Sequence, residues 1–233
     1  MTALGMQDTT TEESLVFRAH FDDEGVYFYQ AYNDDIADWA LSNQRFGGPI
    51  FNETRMTWIK PSFAWVLYRS GYGRKHNQNR VLKVKLTHAA VASLLSQCQC
   101  KEGGGGSKGR IQWDPERDIM SAENKEPRRM LRERSIQIGL KGSLSELYVH
   151  SAVSIEDVTE LSHKVYEAHR SKDVSKAMAL LQSELPPERP YLPRCTPEDL
   201  RRIGITPGET SNHVRRLGRG MATCAEVRTT ETK

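Results

Sequence analysis

The stretch RMTWIKPSFAWVLYRSG, residues 55 to 71, leaves the backbone few paths. Thr57, Trp58 and Ile59 favour extended backbone, and Pro61, which has no amide hydrogen, ends the strand they begin. Ser62 follows as a side chain able to cap a helix. Phe63, Val66 and Leu67 then recur at helical spacing, and Gly71 supplies the stop. A strand must therefore give way to a short helix within about three residues. Its alternation places Arg55, Thr57 and Ile59 on one face and Met56, Trp58 and Lys60 on the other. Lys60 and Ser62 sit at the junction, where the free N–H groups of a helix N-terminus could take a phosphate. The competing arrangement makes the aromatics core and Lys60 an ordinary surface side chain.

The rest of the chain keeps the same short rhythm. GVYFYQAY (25–32) reads as a buried strand. NDDIADWALSNQRFGG reads as a helix capped by Asn33 and stopped at Gly47. RVLKVKL alternates as a half-buried strand, and THAAVASLL starts a helix at Thr87. RIQW predicts a strand and DPERD a helix start capped by Asp114, which leaves Glu116 and Asp118 as further carboxylates. Residues 119 to 132 are charged enough to be surface. RSIQIGL sets Ile136 and Ile138 on one strand face and Gln137 on the other, and YVHSAVSIEDVTEL adds further strand. Helical spacing runs from Asp157 to Leu185, and LPPERPYLP ends it with four prolines. Strands alternating with short helices, followed by helices, make the class α+β. The expected organisation is a disordered lead-in over 1–14, a single domain over 15–205 and a poorly ordered basic tail over 206–233. Within the domain, the Gly-rich segment 101–109 reads as a flexible loop.

Charge is distributed unevenly. Residues 1 to 53 carry ten acids and two bases, whereas 54 to 101 carry nine bases and no acid. Either the acidic start lies against the basic middle, or the basic segment faces an external polyanion. Five aromatics (Trp58, Phe63, Trp65, Tyr68, Tyr72) and five cations (Arg55, Lys60, Arg69, Arg74, Lys75) interleave there, a composition suited to a phosphate-bearing ligand or RNA. Within GYGRKHNQNR two glycines let backbone approach a ligand, but no Walker loop is present.

Other function classes are excluded. No run approaches the roughly 18 apolar residues of a membrane span, and the N-terminus lacks the basic start and apolar core of a signal peptide, so an intracellular protein is expected, cytoplasmic or nuclear. The four cysteines lack zinc spacing and read as reduced thiols, with no metal site. The seven histidines show no paired spacing. Oligomeric state is not legible.

The motifs RMTWIKPSF…YRSG, QWDPERD, RSIQIGL with IEDVT, and LPPERPY together resemble an uncharacterised family known as domain of unknown function 4291. The order of elements is also similar to the ADP-ribosyltransferase fold, a split pair of small sheets around an NAD cleft, with flanking helices and here a C-terminal helical segment. That second resemblance implies NAD as cofactor and Gln30 at the early cofactor-gripping position. It implies Ser62 or Tyr68 at the middle position and Gln137 at the late catalytic one. Tyr32, Lys60 and Arg69 join the cofactor set, Arg55 the catalytic set, and Arg74, Lys75 and Arg80 a nucleic-acid contact. Two positions depart from the superfamily: Gln30 stands where His or Arg is usual, and Gln137 where Glu is usual. A neutral amide cannot act as a general base. Two functions follow: an NAD-dependent ADP-ribosyltransferase acting on nucleic acid or a phosphate end, or a non-catalytic module binding RNA or a nucleotide.

Overall fold

The computed structural model describes residues 15–100, 108–120 and 130–205. The lead-in, the basic tail and nearly all of the Gly-rich loop lie outside them. The elements in chain order are β1 (Arg18–Ala19), β2 (Gly25–Tyr32), α1 (Asp34–Asn43), β3 (Thr57–Ile59), α2 (Phe63–Ser70), β4 (Arg80–Thr87), α3 (His88–Leu95) and β5 (Cys98–Cys100). There follow β6 (Gly109–Arg117), β7 (Met130–Leu140), α4 (Ser143–His150), β8 (Ala152–Asp157), α5 (Thr159–Arg170), α6 (Val174–Leu181), β9 (Arg189–Pro190) and α7 (Pro197–Arg202). Helices and several small sheets are mixed, as the α+β class requires. No helix among the described residues is long and apolar enough to cross a membrane.

Strands β2, β4 and β8 form an antiparallel sheet in the order β2-β4-β8. A second sheet runs β3-β7-β6-β5, with only β5 and β6 parallel. The short β1 and β9 pair apart from both. Tyr29 N–H donates to the Lys60 carbonyl at 2.7 Å, one antiparallel bridge that brings β2 against the end of β3. Alternation along β2 and β4 buries both faces of the first sheet. Val26, Phe28, Leu82, Val84 and Leu86 enter one core with α1, α3 and α4. Tyr29 and Val81 enter another with Phe63, Val66 and Leu67 of α2, Val165 of α5 and Met178 of α6.

The strand-to-helix transition at Pro61 forms as its residues dictate. The Ser62 side chain accepts from Trp65 N, and Gly71 closes α2 in the left-handed conformation. Asn33 caps α1 and Thr87 caps α3 in the same manner. Three local expectations are corrected. The first is the end of α1, which comes at Asn43 rather than Gly47. Gln44 takes the left-handed conformation there, and its amide both donates to Leu41 O and accepts from Ile155 N. Gly47 instead passes beneath Trp39, where a Cβ would meet ring carbons at 2.7 Å.

Second, DPERD starts no helix, because β6 continues through Asp114 and Pro115 to Arg117. Strand β5 pairs with β6 only at residues 109 to 111, so Pro115 faces an edge that asks for no N–H donor. Third, YVH belongs to α4, in which Leu144, Ser145, Tyr148 and Val149 share the buried face.

Candidate functional site

A cavity of about 840 Å³ is walled by the end of β2, the approach to β3, the outward side of α2 and the loop before β4. That volume lies within the range of small-molecule and cofactor sites. Gln30, Tyr32, Arg55, Lys60, Arg69 and Gln137 all line it. Aromatic rings from Tyr29, Tyr32, Phe51, Trp58 and Trp65 contribute, and among the described residues no lining side chain is an aspartate or a glutamate.

Two guanidiniums face this space uncommitted. Arg55 precedes β3 and Arg69 stands in the last turn of α2, both exposed. Neither side chain makes an ion pair or a hydrogen bond among the described residues. Gln137 is similarly unengaged; it projects from β7 opposite Gln112 and is half-buried. An amide so placed can donate and accept at once.

Gln30 is held differently. Its Nε2 donates to Tyr32 Oη at 2.9 Å and to the Trp58 carbonyl at 3.0 Å, while its Oε1 accepts from Tyr148 Oη. Both amide hydrogens are therefore spent inside the protein, and Gln30 builds the wall rather than gripping a ligand through them. Tyr32 Oη accepts from Gln30 and keeps its own proton, and burial raises its pKa above the ordinary phenol value despite the nearby Arg55 charge.

Lys60 lines the cavity yet is tied inward. It is 2% exposed, and its Nζ donates to Asp114 Oδ2 at 2.9 Å and to the Ser135 carbonyl at 3.0 Å. The ammonium also lies 4.3 Å from the Trp65 ring centroid. Asp114 Oδ1 accepts in turn from Gln112 Nε2. Desolvation lowers the Lys60 pKa to about 8 in spite of the Asp114 charge.

The helix N-terminus expected to receive phosphate is already filled by the protein's own carboxylates. Ser62 Oγ donates to Glu116 Oε1 at 2.7 Å, and Phe63 N–H donates to Glu188 Oε1 at 2.7 Å. Ser62 is fully buried and does not line the large cavity. Burial, then the neighbouring Glu116, pushes the Glu188 carboxyl up to about 8. From its ordinary 4.5 to about 8, the folded protein holds a proton that the unfolded chain has released. This group's contribution to stability is present below about pH 4.5 and disappears as pH rises through 8. Urea midpoints measured from pH 5 to 8 should fall less in Glu188→Gln, which keeps the Phe63 hydrogen bond, than in the wild type. An identical slope in both proteins would contradict this assignment.

Other cations of the acid-free segment are neutralised at home, so the acidic start does lie in part against the basic middle. Arg80 pairs with Asp34, Asp38 and Asp157, Lys83 with Glu156, and Lys85 with Asp22 and Glu24. Arg80 is thus unavailable to a nucleic acid without breaking three contacts. Arg74 lies over the Tyr166 ring and Lys75 Nζ donates to the Arg69 carbonyl, and both are exposed outside the cavity. Tyr68 also lies outside it, 38% exposed and stacked 3.8 Å from the Arg117 guanidinium.

The four motifs occupy connected positions here: β3 to α2, β6, β7 with β8, and the segment leading into β9. The family model described as Domain of unknown function (DUF4291) matches residues 16–191. The chain belongs to the DUF4291 family. A search of curated proteins found no match.

In this DUF4291 chain Trp58 and Trp65 of the aromatic, cationic stretch do line the cavity, joined by Asn77 and Gln78, which the sequence did not single out. The signal for Trp58 was Gly139. The two residues are cross-strand partners, and a Cβ on Gly139 would lie 2.7–2.9 Å from three ring carbons of Trp58. The bare backbone thus seats the indole flat on β7. Gly139→Val should destabilise by about 1–3 kcal/mol through overpacking, read as a lowered urea midpoint. An unchanged midpoint would show that the indole is free to move. Among the described residues no group of three His, Cys, Asp or Glu side chains could hold a metal ion.

Proposed function

We propose that the cleft binds a phosphate-bearing nucleotide, NAD in the first instance, and that the protein is an ADP-ribosyltransferase-like enzyme acting on nucleic acid or a phosphate end. One observation carries this reading: among the described residues, two unpaired arginines and five aromatic residues line a cavity of about 840 Å³ with no carboxylate in its wall. Guanidiniums bind phosphate oxygens through paired, charge-assisted hydrogen bonds, and aromatic faces accept a base or nicotinamide by stacking. Two small sheets meeting at a single bridge support the resemblance to the split-sheet superfamily.

On this reading Gln137 orients ribose hydroxyls and takes no proton. Breaking the glycosidic bond then depends on positioning and on neutralisation of the diphosphate by Arg55 or Arg69. Mass spectrometry of NAD incubated with the protein, with and without RNA, tests the reading. Released nicotinamide or ADP-ribosylated RNA supports it, and intact NAD in both samples opposes it.

The non-catalytic RNA-binding alternative has its own support in Arg74 and Lys75, exposed on the turn that leads to the cavity residues Asn77 and Gln78. If that surface and the two cleft arginines meet about four phosphates of a single strand, log affinity should fall against log salt with a slope of roughly −3. Arg74→Ala with Lys75→Ala should flatten the slope by one to two in a filter-binding titration. A salt-independent affinity, or an unchanged slope, removes this surface from the account.

A further inference from the structure

We infer that the cleft selects a dinucleotide carrying a phosphomonoester in addition to its diphosphate, of which NADP is the available representative, in preference to NAD. The inference rests on the nucleotide-binding reading above and specifies the ligand of that same site.

The argument begins with what the wall lacks. In doubly wound dinucleotide-binding folds, sites that favour an unphosphorylated ribose place a carboxylate on its hydroxyl, and a carboxylate so placed in any fold would repel an added phosphate. Among the described residues no aspartate or glutamate lines this cavity. The hydrogen-bonding side chains are amides, hydroxyls and cations, none of which opposes an added dianion.

The second part concerns the number and placement of cations. Among the described residues this cleft offers two uncommitted guanidiniums on separate elements, Arg55 before β3 and Arg69 on α2, so that a second phosphate group can be met apart from the diphosphate. Their surroundings differ. The charge of Arg55 acts on the Tyr32 phenol, which is bonded to Gln30 at the meeting of the two sheets. Arg69 has a second cation against its backbone, since Lys75 Nζ donates to the Arg69 carbonyl at 2.6 Å. Asn77 and Gln78 line the wall on that loop and add neutral donors. A dianionic monoester gains most from the denser positive charge, so it belongs at the Arg69 end. The diphosphate belongs at Arg55, with the ribose toward Gln137.

Isothermal titration calorimetry of the intact protein with NAD and NADP tests this at low salt. NADP should bind roughly 10- to 100-fold more tightly, the gain expected for one added charge-assisted contact. Arg69→Ala should bring the NADP-to-NAD affinity ratio close to one. Arg55→Ala should weaken both ligands by similar factors and leave the ratio standing. Both side chains are exposed, so neither change threatens folding. Equal wild-type affinities, or a ratio that survives Arg69→Ala, would overturn the phosphomonoester assignment while leaving nucleotide binding intact. Binding of neither ligand would overturn both.

Discussion

Replacing Asp114 by alanine is expected to destabilise the protein by about 3–5 kcal/mol, the usual consequence of removing one partner of a buried ion pair. Lys60 is 2% exposed and Asp114 is 9% exposed, so little water reaches the ammonium left behind. The Ser135 carbonyl and the Trp65 ring remain near it, but neither carries a compensating charge. Lys60→Met should be damaging for the complementary reason, with Gln112 the remaining donor to Asp114. The double variant Lys60→Met, Asp114→Leu should recover much of either loss, because an apolar pair of similar volume avoids desolvating two charges. Urea unfolding at pH 7 measures all three. Should Asp114→Ala cost less than about 1 kcal/mol, the pair is not a determinant of stability.

The second large effect concerns turnover. On the proposed function, Gln137→Ala should lower NAD consumption by roughly 10- to 1000-fold, as when one preorganised hydrogen-bonding group is lost. Stability should change by no more than about 0.5 kcal/mol, because among the described residues the side chain makes no internal hydrogen bond, and it lies off the apolar face of β7. Gln137→Glu restores the carboxylate usual in the ADP-ribosyltransferase pattern and is expected to raise NAD hydrolysis. A Gln137→Ala enzyme with wild-type turnover would remove this residue from the site. An equal fall in turnover and in stability would make it a structural residue instead.

What the sequence disclosed was local chemistry with a single solution. Pro61, Ser62 and Gly71 each have a backbone role independent of the rest of the chain, and the turn from β3 into α2 forms as they require. Asn33 and Thr87 were legible as caps for the same reason. What failed depended on partners distant in sequence. Asp114 looks like a helix cap until Lys60, 54 residues earlier, is seen beside it. Ser62 looks like the mouth of an anion site until Glu116 and Glu188 are found already occupying it.

The candidate site divides along the same line. Arg55, Arg69 and Gln137 could be named from composition and alternation, and the structure brings them to one cavity. Arg80 could not be separated from them, because its three carboxylate partners lie on α1 and at the end of β8. Gln30 was singled out only through the resemblance, and its commitment to Tyr32 on its own strand, Trp58 and Tyr148 required two other elements, β3 and α4, to be in place.

The claim on which all else rests is that the acid-free cleft binds phosphate through Arg55 and Arg69. Calorimetric titration of ADP-ribose into the wild type and into the Arg55→Ala, Arg69→Ala double variant measures it most directly. The account predicts saturable binding by the wild type and a loss of roughly 10-fold or more in the double variant, the effect of losing the charge-assisted contact to the diphosphate. No detectable binding at about millimolar ligand, or a double variant that binds as the wild type does, would contradict it.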